Sequence, residues 1–473
     1  MPDSNVKIEV HLIQNFAPSN LNRDDTGQPK SAMFGGFRRA RISSQCEKRA
    51  TRLWWRKDST VTVGDRTKRL QKRIRDRLGE DVEFKKKVED VVKKKECIGE
   101  NKEDTDAINK GTEEYLKDGV RVFTDAYYAS ADTKDPEKTN VLVFIGPNEV
   151  DVCVQSVKEL WDDRSQVVQK KGKDVQETVE GIASIAQKVR EFNSKNAGKQ
   201  ENPDESVSEQ ADEDQAASDA GNKKKPKKPK LVVSTEILNR IKHTQLSADI
   251  ALFGRMLAEQ PELNTDGACQ VAHPISTHKV DMEMDFYTAV DDLNPEKETG
   301  AGMMGVVGFN SACYYRYALV DRDQLARNLA RKTERNNGGW AHELTQKDYS
   351  EADKVIRAFI EAMVYATPTG KQNSFAAQNL PSFGLLTRRV GGVPVSLANA
   401  FAKPVRPKKE DDDVVGLSVD ALTKHWDALK TVYGGQGVKT TACFHLQQEG
   451  RLNGLAGSDK KNVAAAIESV LCE

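Results

Sequence analysis

The run Val6-Lys7-Ile8-Glu9-Val10-His11-Leu12 alternates apolar and polar positions with a period of two, which predicts a half-buried strand. A stretch rich in Asn, Asp, Gly and Pro, from about residue 18 to 36, reads as a loop. Ser44 with Glu47 three residues later predicts a capping box. The helix it opens runs to about Lys57, with Cys46, Ala50, Leu53 and Trp54 toward a core. From about 59 to 199 the chain is charged, helix-favouring and poor in strand signals, so it reads as a helical insertion. Residues 200 to 230 hold ENPDESVSEQADEDQAASDAGN followed by KKKPKKPK. Without large apolar side chains this segment cannot bury enough surface to offset its ordering entropy, and it is expected to be a disordered charged linker.

Order returns beyond Leu231. A helix is predicted over Thr235–Leu257, apolar at Ile237, Ile241, Leu246, Ile250 and Phe253. Strands over 281–290 and 311–320 flank LNPEKETGAGMMG, a turn-rich hairpin tip. Ser350 and Asp353 open a further helix, apolar at Ile356, Phe359, Ile360 and Met363. Strands are expected at 384–389, 393–397 and 440–446, with a helix from Ser418 to about Tyr433. Strand, helix, strand, then strand, helix, strand is the order of an α+β, ferredoxin-like (RRM-like) fold carrying a large insertion after its first helix. No internal repeat of about 20 to 50 residues is present, so any repetition must come from self-assembly.

Composition narrows the class. The chain has 473 residues, 37% hydrophobic and 30% charged, with a mean hydropathy of −0.65. Lys+Arg and Asp+Glu balance at 72 each, so only the distribution of charge can point to a nucleic-acid partner. No apolar run approaches the roughly 18 to 20 residues that cross a bilayer. The start has no basic segment followed by an apolar one, so no secretory signal is expected. The seven cysteines (46, 97, 153, 269, 313, 443 and 472) are scattered and form no CxxC pair. Such usage predicts a reduced, cytoplasmic protein without a membrane partner.

Charge is most uneven between residues 38 and 57. Eight basic side chains (Arg38, Arg39, Arg41, Lys48, Arg49, Arg52, Arg56 and Lys57) stand there against one acid, Glu47. On a helix, Gln45, Lys48, Arg49, Arg52 and Arg56 share one broad face. Basic and amide side chains of this kind hold phosphates without reading bases. The blander alternative is a solvated helix face, but such faces ordinarily mix signs. The Lys-Pro block near 223–230 is either a further nucleic-acid contact or a charge run balanced by the acidic stretch before it.

Catalytic patterns are sparse. Asp24 and Asp25 can hold Mg²⁺ near a phosphate, though Asx-rich loops carry such pairs for turn geometry more often. His273 and His278 lack a Cys partner at zinc spacing. The glycines at 300–302 and 434–435 lack a nucleotide-binding context. Tyr314, Tyr315 and Tyr317, with Arg316, can stack bases, though strand aromatics more often belong to a core. No catalytic residue, metal site or cofactor is assigned.

NRDDTGQPKSAMFGGFRRARISSQCEKRA resembles the amino-terminal signature of the CasC-type backbone subunit of the type I-E CRISPR Cascade complex, of the RAMP superfamily. DIALFGRM (249–256), VAHPISTHKVDMEMDFYTAVDDL (271–293), Ser311–Leu319 and VSLANAF (395–401) extend the resemblance, and 59–235 matches only loosely. It implies a palm over 1–58, 236–280 and 321–473, a helical fingers insertion over 59–235, and a β-hairpin thumb over 281–320. Copies of such a subunit form a helical filament on CRISPR guide RNA. Each copy grips the RNA backbone and leaves bases free to pair with target DNA, beside other Cascade subunits of the CasA, CasB, CasD and CasE types. By matching positions, the resemblance implies RNA contacts for Arg23, Lys30, Arg38, Ser43, Gln45, Lys48, Arg49 and Arg52. It makes Leu293 an apolar wedge beside a displaced nucleotide; Leu257 and Leu263 are guesses for a second wedge. Phe37 stands where the family often has a basic residue. The alternative is a metal-dependent RNase that cuts target RNA at regular intervals with a loop aspartate.

Overall fold

A computed structural model describes residues 5–96, 102–162, 164–170, 173–197, 230–231, 233–289, 303–337, 339–435, 437–446, 452, 455 and 457–472. The chain divides into two compact units. One comprises Met1–Gly64, Gln245–Arg255 and Thr265–Glu473; the other comprises Asp65–Thr244 and Met256–Asn264.

The first unit is built on an antiparallel sheet. Strand β1 (Val6–Ser19) lies between the long strand Met303–Asp321 and the strand Phe383–Val390, which pairs in turn with Val438–His445. Along its other edge the long strand takes Glu283–Ala289, Ile275–Ser276 and Cys269–Val271 in succession. Helix α1 (Ser44–Asp58) follows β1, and the helix Gln346–Tyr365 follows the long strand. With the second-strand position shared by three short segments, this is the ferredoxin-like, RRM-like order 2-3-1-4 with one extra strand outside the fourth. Glu283–Ala289 pairs with Met303–Phe309 as a hairpin whose tip, 290–302, lies outside the described residues.

The alternation in β1 is real, but the strand is buried on both faces. Ile8, Val10 and Leu12 are fully buried, and so are Glu9 and His11 between them. The opposite face is covered because 395–401 and the helix Val414–Tyr433 pack on Ile13, Tyr315, Phe383 and Leu385. The polar residues there are satisfied internally. Glu9 Oε2 accepts from Arg389 at 2.9 Å and Thr387 Oγ1 at 2.9 Å, and Oε1 accepts from Val395 N at 2.6 Å. The expected strand at 393–397 is consequently no strand. Its amides donate to side chains, Leu397 N to Tyr315 Oη at 2.9 Å, instead of to a ladder. Tyr314, Tyr315 and Tyr317 are core residues, not stacking platforms.

Several helix boundaries differ from the expected ones. Ser43, not Ser44, caps α1, accepting from Cys46 N, while Glu47 turns inward to Arg316. Trp55 is the fully buried tryptophan, donating through Nε1 to Ala358 O at 3.0 Å, and Trp54 stacks on Tyr365. A Thr345–Asp348 capping box starts the helix expected at Ser350, and Asp413 caps the one expected at Ser418. The helix expected over 235–257 is two, Thr235–His243 and Ala248–Phe253, which belong to different units.

The second unit is mainly helical. Leu70–Gly79, Val82–Glu96, Lys102–Tyr127, Pro147–Glu159, Ile182–Ala197 and Thr235–His243 bury a core that includes Ile74, Val88, Phe123, Trp161 and Ile185. A hairpin of Arg164–Lys170 with Lys173–Val179 is present where only helix was expected. The charged linker expected over 200–230 lies, except for Lys230, outside the described residues. Among the described residues no helix is long and apolar enough to cross a membrane.

Candidate nucleic-acid interface

Three segments converge at the amino end of α1. The loop 20–30 is pinned by its own polar side chains: Asn20 Nδ2 donates to Gly27 O and Gly308 O, at 3.0 and 2.8 Å. The Asp24 carboxylate accepts from Thr26 N, Thr26 Oγ1 and Gln28 N, and its pKa is held below the usual range chiefly by the Thr26 hydroxyl. That is Asx-turn chemistry. Among the described residues no group of three or more His, Cys, Asp or Glu side chains is placed to hold a metal ion.

Asn22 ties this loop to the helix, its Oδ1 accepting from Ser43 N at 2.8 Å. Strands β2 (Ser31–Phe34) and β3 (Phe37–Ala40) form a hairpin beside it. The turn needs glycine: Gly35 has φ +60, and a Cβ there would meet Ala402 O at 1.9 Å. After β3, Arg41 donates to His273 Nδ1 at 2.8 Å. Partial burial, Arg41 and Lys30 together depress the His273 pKa, so the ring is neutral at pH 7 and the surroundings are electropositive.

The eight basic residues divide into two sets. Arg39 is buried, donating to Ser276 O at 3.0 Å and Phe401 O at 2.6 Å. Arg52 donates to the buried Asp249 at 2.7 Å and to Gly64 O at 2.8 Å, and Arg56 also donates to Gly64 O. The face expected to present Arg52 and Arg56 beside Gln45, Lys48 and Arg49 is therefore split, because its carboxy-terminal half is committed to internal partners. Arg23, Arg38, Gln45 and Arg49 are exposed, Lys30 is half-buried, and no ion pair engages these side chains among the described residues. The half-buried Lys48 places Nζ over the Phe253 ring, 5.3 Å from its centroid. Ser43 is buried, with its hydroxyl used as the helix cap.

Leu293 lies outside the described residues. Leu257 and Leu263 are packed in the core of the helical unit, so neither guess presents an apolar wedge. Sequence reading missed the Arg41–His273 contact and Arg406, whose guanidinium lies over the Phe37 ring at 5.6 Å. Both join residues more than 200 positions apart, and no local pattern signals them.

A family model described as CT1975-like protein matches residues 8–469. A chain of a solved "CRISPR RNA-guided surveillance complex, pre-nicking" aligns with TM-score 0.64 at 24% identity, covering 98% of this chain and 99% of that one. A chain of a second "CRISPR RNA-guided surveillance complex" aligns with TM-score 0.58 at 19% identity, over 98% and 99%. A search of curated proteins finds no match.

Proposed function

The chain belongs to the CT1975-like protein family, and from that premise we propose that it is a non-catalytic backbone subunit of a CRISPR surveillance complex. In this reading it binds guide RNA along the sugar-phosphate backbone and polymerises along it beside other Cascade subunits. The bases stay free to pair with target DNA. The type I-E assignment rests on the sequence blocks quoted above and is the finer part of the proposal.

One observation carries the reading. At the junction of the loop 20–30, the β2–β3 hairpin and α1, Arg23, Arg38 and Arg49 are exposed without an ion pair among the described residues, and Lys30 is felt electrostatically by Asp24 without forming one. A surface where exposed cations outnumber carboxylates, next to a helix amino terminus, favours phosphate. Gln45 and Lys48 complete the contact set in this proposal. Ser43 contributes by fixing the helix start, and Arg52 by holding α1 through Asp249. Sequence specificity is left to base pairing, the division of labour known for RNA-guided effectors.

The test is to purify the tagged chain from its host and sequence the RNA that accompanies it. A uniform population of short guide RNAs supports the proposal, and RNA-free protein or heterogeneous cellular RNA contradicts it. Incubating the same material with complementary RNA and Mg²⁺ separates binding from catalysis. No cut products are expected, and cuts at regular spacing would instead establish a nuclease.

A further inference from the structure

Phe37 immediately precedes the basic run that starts at Arg38, and its ring carries a cation from a distant part of the chain. Arg406 lies over it, with Cζ 5.6 Å from the ring centroid. The segment that delivers Arg406 is held at several points. Arg39 donates to Phe401 O and to Ala402 O, at 2.6 and 3.3 Å. Gly35 lets the β2–β3 turn close against Ala402 O, and Val405 N donates to Thr277 O at 3.0 Å. Arg406 is thus held at a fixed place over Phe37.

Its charge is also left available. Arg406 is exposed and has no ion-pair partner among the described residues. Two carboxylates of the acidic run that follows are turned to backbone amides: Asp412 accepts from Lys408 N and Lys409 N, and Asp413 caps the next helix at Gly416 N. A guanidinium lying on an aromatic face keeps its in-plane N–H donors free for a phosphate. The contact also removes part of the side-chain entropy that phosphate binding would otherwise cost.

We infer that the Phe37–Arg406 pair is an additional backbone-phosphate contact of the RNA surface, with Phe37 as platform and Arg406 as the charged group. The inference rests on the RNA-backbone reading above. Its ligand is a phosphodiester of single-stranded RNA, bound without base preference.

The test measures binding of an unstructured single-stranded RNA to the full chain as Arg406→Gln, Phe37→Ala and the double variant Phe37→Arg/Arg406→Gln. Arg406→Gln is expected to weaken binding roughly tenfold or more, as loss of one charge-assisted hydrogen-bonded contact requires. Phe37→Ala should weaken it less, since the charge remains. The double variant should bind within about twofold of the parent, because a cation is restored at the same place; a purely structural role for Arg406 would not be rescued this way. Arg406→Gln binding like the parent while Arg49→Gln loses affinity overturns this inference alone. If neither substitution weakens binding, the backbone reading itself falls.

Discussion

Glu47 and Arg316 form an ion pair inside the palm, the carboxylate from the first turn of α1 meeting a guanidinium from the long strand, each side chain 3% exposed. Arg316 also donates to Gln14 Oε1 at 2.5 Å. The one acid of the basic run is therefore withdrawn from the surface, which leaves Asp58, the last residue of α1, as the exposed carboxylate of that helix, ten positions from Lys48.

Removing one member of this pair strands a buried charge. Glu47→Ala is expected to destabilise the chain by about 3–5 kcal/mol, measured as a shift in denaturant midpoint. Glu47→Leu with Arg316→Met should recover most of that loss. A shift under about 1 kcal/mol for Glu47→Ala would mean that the pair is open to water.

Arg52 and Asp249 make a similar prediction with a different readout. Arg52→Ala leaves Asp249 buried without its guanidinium partner and should cost roughly 3 kcal/mol or more of stability. Asp249→Asn in the same chain should restore part of it. For protein that remains folded, Arg52→Ala should weaken RNA binding less than Arg49→Ala does. The reverse order would show that Arg52 leaves Asp249 to meet RNA.

Acid should destabilise the palm through His11. Burial lowers its folded pKa to about 4 from an ordinary 6.5, with Glu9 opposing the shift and Arg389 adding to it. Between those values the unfolded chain binds the proton and the folded chain does not, so stability falls as pH drops from about 6.5 toward 4, by a few kcal/mol. Glu9, whose pKa is also lowered, adds a further loss below the ordinary carboxylate range. Unfolding midpoints measured from pH 7.5 to 4.5 should show this slope, and His11→Gln should flatten it. An unchanged slope in that variant would assign the acid sensitivity to other groups.

Much of the palm could be read from the sequence because its signals are local. The alternation in β1, the apolar spacing of Ile356, Phe359, Ile360 and Met363, and the order of elements all survive in the structure. What local pattern could not show was how the far side of the sheet is covered. Glu9 and His11 read as solvent-facing because polar residues at alternate positions ordinarily are, and the packing of 395–401 and the helix Val414–Tyr433 makes them internal. The basic run had the same difficulty. Arg39, Arg49 and Arg52 look equivalent in sequence, and each is distinguished by a partner, or its absence, far along the chain: Phe401 O for Arg39, Asp249 for Arg52, and none for Arg49 among the described residues.

The central claim is that exposed cations around the start of α1 hold RNA by its phosphates. Its most direct test is the affinity of the full chain for several single-stranded RNAs of unrelated sequence across a salt series, compared with Lys30→Gln/Arg49→Gln. The account predicts a similar loss for every sequence, with the slope of log K against log salt reduced by about 1.4, the value for two lost single-strand phosphate contacts. An unchanged slope, or a loss confined to particular sequences, would contradict it.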